Sequence, residues 1–203
     1  MLIFSDPCLA FIAVPKTGST AIELALRSRA DVAFLGRRKH MPAQRYESKI
    51  APFLADAFRI YPERIAIMRD PVEQIGSWYR YRSRDDIKGT DRYTGDLSFD
   101  RFVLDLLSDD PPEHAVIGSQ HRMLTSKHGD LLIDHLFRYE QFEIFHDFLT
   151  LRFGDRPAFK TQNVSPVMEL ELSPSTMRRL HQARAAEFAL YERLCEAEGH
   201  LRT

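Results

Sequence analysis

Lys16, Thr17, Ser19 and Thr20 place one charge and three hydroxyls around Gly18 in the stretch Val14-Pro15-Lys16-Thr17-Gly18-Ser19-Thr20. The chemistry open to such a stretch is anion binding. Before it, Cys8 to Val14 is an apolar run that reads as a buried strand, and after it Ala21-Ile22-Glu23-Leu24-Ala25-Leu26 has helical character. A strand that turns sharply into a helix N-terminus leaves several backbone N–H groups aimed one way, and the positive end of the helix dipole adds to their pull on an anion. Lys16 supplies a point charge and the hydroxyls supply further donors. A phosphate or sulfate ester suits that cradle. The competing reading is an ordinary strand–helix turn with a solvated lysine.

The order of the residues narrows the anion. A nucleoside-triphosphate loop reads G-x-x-x-x-G-K-[ST], with its lysine after the second glycine. Here Lys16 precedes Gly18, and the loop holds no other glycine. It is too short and wrongly ordered to wrap a triphosphate.

A second segment has the same logic. Arg64-Ile65-Ala66-Ile67-Met68 reads as another buried strand and ends in Arg69-Asp70-Pro71. Asp70 suits a helix N-cap and Pro71 the first helical position. Ile75, Trp78 and Tyr79 then recur at helical spacing. Arg69 stands 53 residues after Lys16, and Ser77 stands eight after Arg69, about two turns into that helix. Parallel strands would bring both loops to one sheet edge, where ligands of such sheets bind. Taken singly, Arg69 could be a strand-end ion pair and Ser77 a solvent-facing helix residue.

His40 follows Arg37-Arg38-Lys39 and precedes a helix expected from Pro42. An imidazole with an unperturbed pKa near 6.5 is suited to accept a hydroxyl proton at neutral pH; a surface or capping histidine is the alternative. His114, His121, His128 and His135 recur every seven residues, but Gly118 and Gly129-Asp130 interrupt the run and no cysteine lies near it. No metal site is expected there. His121, or a carboxylate, is held as the alternative base.

Three motifs carry a family resemblance. P-K-T-G-S-T after a hydrophobic strand resembles the 5′-phosphosulfate loop of the sulfotransferases that use 3′-phosphoadenosine 5′-phosphosulfate (PAPS). R-D-P-V-E-Q-I-G-S-W-Y resembles the family pattern R-N-P-W-D-R-L-V-S-W-Y, with Gln74 where an arginine is often found. K-H-M-P-A-Q resembles the K-H-x-x-A segment of the carbohydrate-type members. Strand–Tyr139-Glu140–helix and Glu187…Tyr191 look like further family elements, so the resemblance runs from the first strand to the last helix.

The resemblance implies a reaction and a division of roles. Lys16, Thr17, Gly18, Ser19 and Thr20 would hold the 5′ end of PAPS, and Arg69 and Ser77 its 3′-phosphate. The loop Phe159 to Pro166 would add Lys160, Asn163 and Ser165 near the nucleotide. His40 would act as base while Lys16 stabilises the leaving oxygen. The sulfuryl group would pass in line to a hydroxyl of a saccharide or glycoconjugate, without a metal, leaving 3′,5′-adenosine bisphosphate. Two other readings stand beside it: a small-molecule kinase with a degenerate phosphate loop, and a non-catalytic nucleotide-binding scaffold.

The elements that must position these residues follow from patterning. With 203 residues and 44 % hydrophobic content, the chain is read as one domain, residues 1–203, with ample material for a core. The expected fold is α/β: a three-layer, P-loop-like arrangement with a central, mainly parallel sheet and helices on both faces. Helices are expected with an apolar stripe Tyr46, Ile50, Phe53, Leu54 and Ala57; from a Ser98 cap through Leu107; over 141–153; and as one long helix from Ser173-Pro174 through Leu194. A strand is expected over 131–138, and the loops 31–45, 85–97 and 111–130 to set acceptor specificity. The basic run Arg80, Arg82, Arg84, Lys88 and Arg92, interleaved with Tyr79, Tyr81 and Tyr93, reads as a solvated face or as an acceptor grip.

Composition removes other classes. With 28 basic against 29 acidic residues the net charge is −1, which lacks the electrostatic footprint of a nucleic-acid binder. Cys8 and Cys195 make no disulfide framework. Asp6-Pro7 break the first apolar stretch and no basic segment precedes it, so a cytoplasmic chain without a membrane span is expected. The pattern names no oligomeric state.

Overall fold

Six strands build one sheet in the computed structural model, which describes residues 1–160, 168 and 170–203. They are β1 (Leu2–Phe4), β2 (Leu9–Ile12), β3 (Val32–Ala33), β4 (Glu63–Met68), β5 (His135–Arg138) and β6 (His200–Arg202), in the order β3-β1-β2-β4-β5-β6. The sheet is mixed rather than mainly parallel. Only β2–β4 and β4–β5 run parallel, while both edges pair antiparallel. For β1–β2 the connection is the reason: four residues join the strands, whereas a parallel pair needs a crossover of a dozen or more.

Strand alternation separates two cores. Ala10, Ile12, Val14, Ala66, Met68 and Leu136 face one side. There they meet Leu54 of α3 (Ala51–Phe58), Leu124 of α6 (Gln120–Leu124), and Leu190 and Leu194 of α9 (Ala185–Glu196). Leu9, Phe11, Ala13, Ile65, Ile67 and Phe137 face the other, against Ile22 and Leu26 of α1 (Ser19–Leu26) and Phe145 and Leu149 of α7 (Phe142–Phe153). Each of the larger side chains contributes about 1.5–3 kcal/mol by leaving water. A third cluster joins α4 (Pro71–Arg82), α5 (Phe99–Leu106) and α8 (Pro174–Ala183) through Ile75, Tyr79, Phe99, Phe102, Val103 and Leu180. Helices thus cover both faces.

Three elements differ from the sequence expectation. Between α2 (Ala43–Arg45) and α3 the backbone makes a π turn over Tyr46–Ile50. Its extra residue rotates the apolar stripe, so Tyr46 and Leu54 are buried while Phe53 is 58 % exposed. The long C-terminal helix breaks at Arg184 (φ −115°, ψ 23°), separating α8 from α9. The strand expected over 131–138 is reduced to β5, with Leu131 in a lone bridge to Thr125. Among the described residues no helix is long and apolar enough to cross a membrane.

Candidate anion-binding site

After β2 the chain runs through the buried Ala13 and Val14, and two residues with positive φ then turn it: Lys16 (68°) and Gly18 (73°). A left-handed lysine costs about 1–2 kcal/mol, which Gly18 avoids. Such strain in a binding loop is a recurrent functional signature. Gly18 is the N-cap of α1 and has no side chain to satisfy the first-turn N–H groups, which leaves them to a ligand. Thr17 is fully buried and its hydroxyl donates to the Val14 carbonyl at 2.9 Å, so it shapes the loop. Thr20 Oγ1 accepts from Lys39 Nζ at 3.0 Å, and that ammonium also pairs with Glu23 at 3.0 Å. The Ser19 hydroxyl, at the first helical position, makes no hydrogen bond among the described residues.

Lys16 itself has no carboxylate partner among the described residues. Its Nζ lies over the rings of Tyr81 (3.9 Å to the centroid) and Trp78 (5.1 Å). Burial, and then the positive charges of Arg84, Arg69, Arg82 and Arg80, lower its pKa to about 7. Four guanidiniums around one lysine concentrate positive charge that a bound anion would offset.

The second loop is held differently. Asp70 caps α4 by accepting from the Glu73 N–H at 2.9 Å, with Pro71 at the first helical position. The carboxamide of Gln120 brackets Arg69: its Oε1 accepts from the Arg69 N–H and its Nε2 donates to the Arg69 carbonyl, both at 2.9 Å. Gln120 is itself fixed by Glu187, 4 % exposed, which accepts from the Gln120 N–H (3.0 Å) and the Ser119 hydroxyl (2.8 Å). Glu140 accepts from the Asp70 N–H and from the Tyr191 hydroxyl, each at 2.9 Å. The Arg69 guanidinium reaches Glu73 through Nη2 at 3.1 Å, and Glu73 also takes Arg80 at 3.1 Å. Arg69 Nε is buried without a hydrogen-bond partner among the described residues. Ser77 is half-buried further along α4.

Two side chains join the loops. Gln74, buried in α4, donates to the Pro15 carbonyl at 3.3 Å. Tyr139, at the end of β5, has its ring 4.8 Å from the Arg69 guanidinium, and a Cβ added at Gly18 would meet the same ring at 3.5 Å. Lys16 and Arg69 therefore follow adjacent parallel strands, β2 and β4, with one tyrosine between their loops.

His40 hangs on the same strand end. Its Nδ1 lies 2.7 Å from the Ala13 carbonyl. A carbonyl only accepts, so Nδ1 carries the proton and Nε2 keeps the lone pair a base needs. Burial lowers the His40 pKa below its ordinary value, against the opposing pull of that hydrogen bond, and keeps the ring neutral at pH 7. The Lys39 tether to α1 fixes the segment.

The remaining residues lie elsewhere. Lys160 is exposed and makes no hydrogen bond or ion pair to either loop. Asn163 and Ser165 are outside the described residues. His121 is half-buried on α6 beside Gln120. The basic run is mostly committed to structure: Arg82 donates to the carbonyls of Glu113 (3.0 Å), His114 and Val116 (2.8 Å), and Arg84 pairs with Asp86 at 3.3 Å. His114 pairs with Asp105, and His135 with His200. Among the described residues no cluster of three metal-ligating side chains occurs.

The bracket that Gln120 puts on Arg69 was absent from the sequence reading. The one signal available was Ser119, which caps α6 by accepting from the Arg122 N–H at 3.3 Å and so marks a helix start beside it. Compared with known proteins, the chain matches no family model, no curated protein and no solved structure.

Proposed function

We propose that the protein is a PAPS-dependent sulfotransferase of the carbohydrate type, which moves a sulfuryl group onto a hydroxyl of a saccharide or related acceptor. One observation carries the reading: Lys16 and Arg69 stand at the ends of neighbouring parallel strands, each in a turn that opens a helix. A donor with phosphates at both its 5′ and 3′ positions needs two anion sites at one sheet edge. The residues present fit such a group. Lys16 and Arg69 bring positive charge to the two turns, Arg69 and Arg80 share the single carboxylate of Glu73, and the Arg69 Nε is buried with no hydrogen-bond partner among the described residues. The reading carries with it a three-layer, P-loop-like arrangement and a cytosolic location, where the donor is made.

When bound, PAPS supplies the activated sulfuryl group and the 3′,5′-adenosine bisphosphate that leaves. The chain supplies the rest. The open first turn of α1, with Gly18, Ser19 and Thr20, cradles the 5′ end, and Arg69 and Ser77 take the 3′-phosphate. Lys16 moves from its aromatic seat to the developing negative charge, where a preorganised cation is worth most. His40 Nε2 takes the acceptor's proton, and the Ala13 carbonyl holds the ring in the required tautomer. Lys160, Asn163 and Ser165 belong near the nucleotide in this scheme only as the family resemblance implies. A kinase would turn the hydroxyl of Thr17 toward Mg²⁺, but that hydroxyl is buried and donates to Val14.

Calorimetric titration with 3′,5′-adenosine bisphosphate, 5′-AMP and ATP–Mg²⁺ tests the reading. Micromolar binding of the bisphosphate that is lost without the 3′-phosphate is expected. Preference for ATP–Mg²⁺ would move the kinase ahead. Bisphosphate binding with no sulfuryl transfer to a broad acceptor panel would leave the scaffold.

A further inference from the structure

A cleft of about 560 Å³ opens where the C-terminal half of α4 meets the loop that follows it. Trp78 and Tyr81 form its aromatic wall, and Ile87, Asp91, Arg92 and Glu113 lie around them. Tyr81 is the ring on which Lys16 rests, so the cleft begins where the first anion loop ends.

We propose that this cleft is the acceptor site, and that it selects a neutral, hydroxyl-bearing ring over an anionic one. The location rests on the sulfotransferase reading; the selectivity rests on the cleft itself. An anionic sugar would need unspent cations, and the guanidiniums here are spent. Arg82, 7 % exposed, gives its donors to three backbone carbonyls. Arg92 is paired with Glu113 at 2.6 Å and Arg84 with Asp86. Lys88 has no ion pair among the described residues but does not line the cleft. One carboxylate is uncommitted: Asp91 is exposed and makes no ion pair among the described residues, whereas Asp86 and Glu113 in the lining are the partners of Arg84 and Arg92.

Carboxylate oxygens accept from the O–H groups of a polyol and repel a uronate or sulfate, which is discrimination by an unfavourable pairing as much as by a favourable one. Two aromatic side chains with a few fixed polar groups are the usual lining of a small-ligand pocket. The two rings meet edge to face, 6.0 Å between centroids, which gives the cleft a fixed wall.

Trp78 is the chain's one tryptophan, so its emission reports on the cleft directly. The full chain is titrated with N,N′-diacetylchitobiose as a neutral probe and a sulfated, uronate-containing heparin disaccharide as an anionic one, each with and without saturating 3′,5′-adenosine bisphosphate. A saturable emission change is expected with the neutral probe, about tenfold tighter than with the anionic one, a gap of about 1.4 kcal/mol. Tyr81→Ala should weaken the neutral probe about tenfold while Tyr81→Phe keeps it. Asp91→Lys, on an exposed loop, should improve the anionic probe by up to about fivefold. Equal or tighter binding of the anionic probe to the native chain, or no response to the neutral one, overturns the proposal. Sugar binding without any bisphosphate binding would sink the sulfotransferase reading yet leave the cleft a sugar site. Bisphosphate binding with silent sugars would do the reverse.

Discussion

The Lys16 loop and the Arg69 loop follow neighbouring strands, yet they are held by opposite means. Lys16 to Ser19 is shaped by its own backbone, through two positive-φ residues and a hydroxyl that bonds back three residues. Arg69-Asp70 is gripped from a distance by Gln120, Glu140 and, behind Gln120, Glu187. The first loop leaves its cation without a carboxylate partner among the described residues and carries His40 at its root; the second is held by side-chain hydrogen bonds of its own. Under the proposed function the contrast becomes a division of labour: the locally made loop would do chemistry, and the braced one would bind.

That division makes separable predictions. The largest effect should come from the chemical side. His40→Ala should lower turnover by roughly 10²–10⁴ with little change in bisphosphate affinity, since general bases contribute on that scale. Survival of turnover would move the base to His121 or a carboxylate, and a large loss of affinity would blur the division. On the braced side, Arg69→Ala should weaken bisphosphate binding by about 1.5–3 kcal/mol, the range for hydrogen bonds to charged groups, and leave 5′-AMP nearly unchanged. An unchanged bisphosphate isotherm would remove Arg69 from the site.

Gln120→Ala tests the bracing without touching the guanidinium. It strips partners from the Arg69 N–H and carbonyl, and an unmade buried hydrogen bond costs about 1–3 kcal/mol. Loss of stability in urea unfolding, with a smaller loss of bisphosphate affinity than in Arg69→Ala, is expected. The corresponding probe of the first loop is pH. Lys16 sits at about 7 in the free protein, and an anion beside it favours the charged form, so its pKa in the complex is higher. The affinity it contributes is fully present below 7 and declines above it, by up to about tenfold per pH unit until the complex's own pKa is passed. Calorimetry at pH 8 in buffers of different ionisation enthalpy should show proton uptake on binding. A flat affinity between pH 6 and 9 would show that Lys16 keeps its charge in the free protein.

The same contrast explains what could be read before the fold was seen. The Lys16 turn, the Asp70-Pro71 cap and the Ser98 and Ser173 caps are local, and each stands where spacing put it. The parallel pairing that sets Lys16 beside Arg69 also follows from two strand–turn–helix units. The bracing was not legible, because Gln120 lies 51 residues from Arg69 and Glu187 another 67 away, and isolated polar residues have no periodicity. Gln74 reads from sequence as a missing arginine; in the fold it ties α4 to Pro15. The π turn at Tyr46–Ile50 and the break at Arg184 escaped for a related reason, since helical periodicity runs smoothly across both until tertiary contacts decide the phase.

The smallest predicted effect bears on whether the Lys16 loop is self-made. Thr17→Val keeps the shape of the side chain and removes its hydroxyl, which leaves the buried Val14 carbonyl without that donor. The loss should be about 1 kcal/mol, the net worth of one neutral hydrogen bond. If the loop is shaped by its own backbone, the bond matters mainly for the turn that presents Lys16 and the first-turn N–H groups. Turnover should then fall more than bisphosphate affinity, because Arg69 remains gripped by Gln120 and Glu140. Equal losses in both would mean that the two loops move as one unit through Gln74 and Tyr139, and that the division of labour is shallower than the hydrogen bonding implies.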